Sequence, residues 1–123
     1  MPTSSVEIYH RFSFVAARAM THMPPDHVCS RLHGHSFKIE VRLKGPINEQ
    51  EGWLIDHSDI AHVVNPLIEK LDHRYLNEID GLDKPSNENI ARWFWRHCQP
   101  HLPLLTSITV IDTDETGCLY DGT

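Results

Sequence analysis

Between Val6 and Met20 the apolar residues fall mostly on even positions, Val6, Ile8, Phe12, Phe14, Ala16 and Met20, with His10 and Arg18 interrupting. A period of two is the mark of a strand with one buried face. The segment THMPPDHVCSRL, punctuated by Pro24 and Pro25, breaks the alternation and predicts a loop. The pattern then resumes. His33, His35, Phe37, Ile39, Val41 and Leu43 share one face, and Ser36, Lys38, Glu40, Arg42 and Lys44 share the other, up to Gly45-Pro46. After the polar stretch INEQEGW, read as a loop, the period changes. Ile60, Val63, Val64, Leu67, Ile68 and Leu71 recur at helical spacing and predict a core-facing stripe. Asp56 or Ser58 can cap its start. Pro66 removes a backbone donor and predicts a kink or short break in that helix. NEIDGLDKPSNEN reads as a loop, and Ser86 caps a second helix over about 87–99. There Ile90, Phe94 and Cys98 form a stripe, and Ala91, Trp93 and Trp95 widen it until the helix is apolar nearly all round. Such a helix must be covered on more than one side. Ile108, Val110 and Asp112 share a face of a third strand, and Gly117 separates it from a short fourth, CLYDG.

The order strand, strand, helix, helix, strand, strand predicts an α+β fold: a four-stranded antiparallel sheet with two helices on one face. At 123 residues the chain is expected to form a single domain over 1–123. Four strands leave two edges and a small core, so partner subunits are expected to cover them. The apolar runs are short, so no membrane span is expected. The opening MPTSSVEIYH lacks a basic flank followed by an apolar stretch, so no secretory leader is expected. Eleven Lys and Arg against seventeen Asp and Glu give a net charge of -6, which argues against a nucleic-acid scaffold. Ten histidines change the picture. Protonating all of them would carry the charge from -6 to +4, and such a stock points to metal or proton chemistry. Cys29, Cys98 and Cys118 are odd in number and contain no Cys-x-x-Cys pair, which suits reduced thiols in a cytosolic protein.

Candidate chemistry sits in four places. His33-Gly34-His35 projects two imidazoles from one strand face, where they can converge on one ion, with the glycine leaving room for a ligand. Two histidines at a strand start can equally be solvated, and a third ligand is needed. Cys29 lies four residues earlier, in a loop that also carries His22, His27 and Arg31. Nearby cations or a metal would make its thiolate available; otherwise it is an incidental loop cysteine. Asp72-His73 places a carboxylate beside an imidazole at the end of the first helix, as a tuned proton carrier or simply a helix terminus. Asp112 ends an apolar strand face, where a carboxylate can hold a guanidinium-like amino-imine edge or be a solvated turn acid.

In combination these residues resemble a family. FSFVAARAM, HVCSRLHGHSFKIEV, GWLIDHSDI, LDHRYLN, KPSNENIARW and GCLY are similar, in order, to segments of the 6-pyruvoyl-tetrahydropterin synthases and, more closely, of the bacterial 6-carboxy-5,6,7,8-tetrahydropterin synthases of queuosine biosynthesis. The resemblance spans Phe12 to Tyr120. It implies a tunnelling fold whose subunits form a trimeric barrel, usually paired into a hexamer, with active sites between subunits. That arrangement would account for the apolar surface of the Trp93–Trp95 helix. It implies a lyase acting on 7,8-dihydroneopterin triphosphate or a close pterin, with the 6-carboxy product favoured over 6-pyruvoyl. It also implies a zinc ion on three histidines, a cysteine base, an Asp-His pair and a late carboxylate for the pterin ring. By position these fall on His33 and His35 for zinc, on Cys29 as base and on Asp72 with His73. Asp112, Glu88 and Arg18 are the positions expected to meet substrate.

Two positions depart from the pattern. Arg18 stands where the family has its first zinc histidine, and a guanidinium has no lone pair for a cation. Asp112 stands where a glutamate is expected. Zinc would then be lost or weakened, or His22 would supply the third nitrogen, or Arg18 would itself do the electrostatic work. The alternative to an active synthase is a divergent pterin-binding relative with altered or lost catalysis.

Overall fold

The computed structural model describes residues 4–123; Met1–Thr3, part of the segment read as lacking a leader, lie outside the described residues. Strands β1 (Ser5–Arg18), β2 (His33–Pro46), β3 (Leu105–Ile111) and β4 (Gly117–Tyr120) form one antiparallel sheet in the order β1-β2-β3-β4. Between β2 and β3 the chain makes helices α1 (His57–Leu71) and α2 (Asn87–Cys98). The α+β architecture expected from the periodicities is the one observed.

The alternation of period two does the sorting. Phe14 and Ala16 of β1, Phe37, Ile39, Val41 and Leu43 of β2, and Ile108 and Val110 of β3 are buried against Ile60, Val64, Leu67 and Leu71 of α1 and Ile90, Ala91, Phe94 and Cys98 of α2. The other face carries Tyr9, Val15 and Leu119 exposed, with Glu40 buried beneath Arg11 and Arg42.

The helix caps follow local chemistry. Asp56 accepts from Ser58 N–H and starts α1, and Ser86 accepts from Asn89 N–H and starts α2. α1 runs through Pro66 without the expected break. Pro66 lies on the exposed side of the helix, where water can hydrate the carbonyl that the missing N–H leaves free. The apolar breadth of α2 also has a source other than the expected subunit contact. Trp93 is only 4% exposed within the single chain, its Nε1–H donating to Asp80 O, and Trp95 packs edge-on against Tyr120 of β4. The chain's own loop and last strand cover that helix.

The edge of β1 is closed over its C-terminal part. His73 N–H donates to Val15 O, Val15 N–H to Asp72 Oδ1, and Ala17 N–H to Arg74 O. The segment after α1 therefore pairs with the strand that carries Arg18. Among the described residues no helix is long and apolar enough to cross a membrane.

Candidate functional site

Register places the first half of the site. β1 and β2 pair so that Arg18 faces His33 and Ala16 faces His35, all on the helix-facing side of the sheet and at its open end. The His33 and His35 rings lie 4.9 Å apart at 86° to each other. His33 Nδ1 is 2.7 Å from Arg31 O, which fixes that nitrogen as the donor and leaves Nε2 with its lone pair. Burial first, then the charges of Arg18 and His33, hold His35 below the usual imidazole range. Gly34 does not make the room expected of it. It belongs to the opposite, exposed face, and a methyl group there would meet only Ala16 O at an ordinary 3.7 Å.

The loop between β1 and β2 brings up the thiol. Cys29 lies in a 3-10 turn, Val28–Ser30, whose start is capped by His27 Nδ1 accepting from Cys29 N–H. Cys29 is half-buried. With Arg18, Val28, Arg31, Leu32, His33, His35 and Asp112 it lines a cavity of about 470 Å³. A hollow of about 800 Å³ lies elsewhere, against Lys70, Arg74, Trp93 and Arg96, and contains none of the candidate catalytic, substrate-binding or metal residues read from the sequence. We place the site at the smaller cavity because the chemistry converges there. Cys98 is no rival thiol, since burial pushes it up to about 12.

Arg18 is the centre of the arrangement. It is 7% exposed. Its Nη1 donates to Pro85 O at 3.0 Å and to Asn87 Oδ1 at 2.9 Å, and its Nη2 donates to Asp112 Oδ2 at 2.9 Å. The Phe37 ring lies under the guanidinium at 5.0 Å, while Nε is buried without a partner. Asp112 is satisfied in turn, its Oδ1 accepting from Thr116 Oγ1 at 2.6 Å. Burial alone would push the Asp112 carboxyl up, but hydrogen bonds from Thr116 and Asn87 and the charge of Arg18 outweigh it and hold the group below the ordinary value. The carboxylate expected to take a guanidinium-like edge does hold a guanidinium, and its own chain supplies it.

This bears on the expected zinc. His33 and His35 stand side by side on the cavity wall, but the third position is a protonated guanidinium committed to three acceptors. His22 lies in an exposed turn away from the cavity wall, and His27 Nδ1 is spent on its cap. Among the described residues no group of three or more His, Cys, Asp or Glu side chains stands together to hold a metal ion. The donor set does not fit a three-histidine site.

The remaining candidates lie outside the cavity. Asp72 ends α1 with Oδ1 accepting from Val15 N–H and lying 3.0 Å from His73 Nδ1. The Val15 N–H, followed by His73, holds the Asp72 carboxyl low. His73 takes a positive φ of 59° and its side chain is 79% exposed. The pair is on the β1 edge and does not reach the cavity of the same chain. Glu88 is exposed on the first turn of α2 and does not line the cavity; with burial, its charge pushes the Cys118 thiol up. The neighbouring Asn87 is the residue that reaches the site. Sequence reasoning also passed over Asn77, whose side chain accepts from Ala19 N–H at 3.0 Å and donates to Ala19 O at 2.6 Å, pinning the chain one residue beyond Arg18.

With this geometry the chain can be set beside known proteins. The model of the family described as 6-pyruvoyl tetrahydropterin synthase matches residues 7–123. A 6-carboxy-5,6,7,8-tetrahydropterin synthase of Synechocystis is 37% identical over 120 residues, covering 92% of this chain and 91% of the relative. A dihydroneopterin monophosphate aldolase of Pyrococcus furiosus is 38% identical over 96 residues, covering 78% of this chain and 77% of that one. Among solved structures, the 6-pyruvoyl tetrahydropterin synthase of Caenorhabditis elegans matches with a TM-score of 0.91 over 100% of this chain and 99% of that chain, at 19% identity, a likeness of fold.

Proposed function

The chain belongs to the 6-pyruvoyl tetrahydropterin synthase family, and we propose that it is a 6-carboxy-5,6,7,8-tetrahydropterin synthase-like lyase acting on 7,8-dihydroneopterin triphosphate, on the route to the 7-deazaguanine of queuosine. The observation that carries this reading is one cavity. Residues from the loop, both long strands and the end of β3 bring Cys29, His33, His35, Arg18 and Asp112 to a single wall. The 37% identity to the Synechocystis synthase over nearly the whole length favours the 6-carboxy reaction.

In this reading the whole chain, 1–123, acts as one unit, and Cys29 thiolate takes a carbon-bound proton from the pterin side chain. Negative charge that develops on the neighbouring oxygen meets the Arg31 guanidinium and an N–H of His35. His73, held by the Asp72 carboxylate, carries the second proton. Since that pair is exposed on the edge of β1, away from the cavity of its own chain, the complete site is assembled from two copies. The exposed Tyr9, Val15 and Leu119 on the outer sheet face suit such a homo-oligomer, a trimer or hexamer. Three free cysteines suit the reducing cytoplasm. The Arg18–Asp112 pair favours a second reading, a divergent relative with an altered pterin reaction, and the Pyrococcus furiosus aldolase is a relative whose named reaction differs.

Incubation with dihydroneopterin triphosphate and identification of the product by mass spectrometry tests the assignment. Formation of 6-carboxytetrahydropterin supports it; a different product, or none, sinks it in favour of the second reading. Cys29→Ala should lower turnover by about 10²–10⁴-fold with the circular dichroism unchanged. Mixing Cys29→Ala with His73→Ala should restore activity if each site takes residues from two subunits. Failure of mixed oligomers to recover would place both groups in one chain.

A further inference from the structure

The hollow of about 800 Å³ against α1 and α2 has the volume of a small-molecule site and shares no lining residue with the cavity that holds Cys29. Three cations stand on its wall: Lys70 from the last turn of α1, Arg74 just beyond that helix, and Arg96 from the last turn of α2. Arg11, Arg18 and Arg42 each have a carboxylate within ion-pair distance, but among the described residues none of these three does. A cation in the last turn of a helix has an ordinary explanation, since the carbonyl end attracts positive charge. That accounts for Lys70 and Arg96 one at a time. It does not account for Arg74, which lies outside the helix, or for two helix ends bringing their cations to one concave wall. Glu78 and Asp80 also line the hollow, and three cations against two acids leave a positive excess there in a chain of net charge -6. A recess concentrates such a field.

The wall is also rigid. Trp93 is 4% exposed, its Nε1–H donates to Asp80 O, and the His97 ring packs against it at 4.3 Å. Gly81, at a φ of 87°, leaves the rim beside the indole without a side chain; a methyl group there would stand 3.4 Å from Trp93 Cδ1.

We propose that this hollow is a second ligand site, taking an oligophosphate that Lys70, Arg74 and Arg96 hold. Guanidinium groups bind phosphate oxygens in pairs, and a chain of phosphates can meet all three cations where a single phosphate cannot. The phosphate chain can be free or carried by a nucleotide. The inference is independent of the pterin reading, because the hollow contains none of the residues that reading uses.

The full chain is titrated calorimetrically, at low salt and without metal, with inorganic tripolyphosphate, ATP and orthophosphate. Tripolyphosphate should bind at one equivalent per chain, and orthophosphate at least about tenfold more weakly. Arg74→Gln and Arg96→Gln should each weaken tripolyphosphate about tenfold or more, as the loss of a charge-assisted bond does. Both residues are exposed, so circular dichroism should be unchanged. Arg31→Gln is the control, since Arg31 lines the Cys29 cavity, and it should leave the affinity as in wild type. Equal affinities for tripolyphosphate and ATP would support a site that reads the phosphate chain alone, and tighter ATP a nucleotide site. No binding of tripolyphosphate, orthophosphate binding as tightly, or a loss that follows Arg31→Gln instead of Arg74→Gln and Arg96→Gln would overturn the proposal.

Discussion

Asn77 does for Ala19 what a strand partner would, accepting from its N–H and donating to its carbonyl. Ala19 follows Arg18 directly, so this amide fixes the backbone from which the buried guanidinium projects. Asn77→Ala leaves both peptide groups of Ala19 without partners and should cost about 1–3 kcal/mol in urea unfolding. Asn77→Asp keeps the acceptor and loses the donor, so it should fall between wild type and Asn77→Ala. Equal stability in all three would show that water replaces the amide. Legibility at this scale was uneven. His33, His35, Cys29, Arg18 and Asp112 stand out in the sequence by residue type, and the cavity does unite them. Asn77 and Asn87 do not stand out, because an amide's value lies in what it faces. Glu88, marked from the sequence, turns to solvent while Asn87 beside it turns inward.

Pro66 is the test at the scale of an element. α1 is unbroken through the proline because the ring and the freed carbonyl lie on the wet side. The helix still lacks one hydrogen bond. An interior proline costs about 3 kcal/mol relative to alanine, offset by up to about 1 kcal/mol from its restriction of the unfolded chain. Pro66→Ala should therefore stabilise the protein by about 2 kcal/mol, read as a higher urea midpoint at unchanged slope. A lower midpoint would mean that the proline packs against something in an assembly. The elements themselves were readable because each periodicity has one physical cause. A strand buries alternate side chains and a helix buries every third or fourth. Caps at Asp56 and Ser86 were readable for the same local reason. That α2 is covered on several sides could be read from its composition. What covers it, the Asp80–Gly81 loop and Tyr120, could not.

For the whole molecule, the clearest pH dependence comes from groups whose neutral or ionised form the fold selects. Burial first, then His57 with its Nδ1 3.1 Å away, lowers the proton affinity of His10 below its usual 6.5. A histidine with a lowered folded value binds its proton more readily when unfolded, so its contribution is present above about pH 6.5 and lost as the pH falls through the folded value. Glu40 adds a second step. Burial raises its carboxyl, but bonds from Arg11 and Arg42 prevail and lower it, so its contribution is present above about 4.5 and lost as the pH falls through the folded value. The urea midpoint should fall between pH 7 and pH 5, and less in His10→Asn than in wild type; equal slopes in the two proteins would remove His10 from the account. By itself the sequence determined the order of elements, the buried face of each, the likeness to a pterin-synthase family and the two positions that depart from it, because all of these depend on spacing along the chain or on residue type. Only the tertiary structure decided that the two departures are one feature. Arg18 and Asp112 are 94 residues apart in the chain and 2.9 Å apart in the fold, and no local pattern encodes a contact made by the pairing of distant strands.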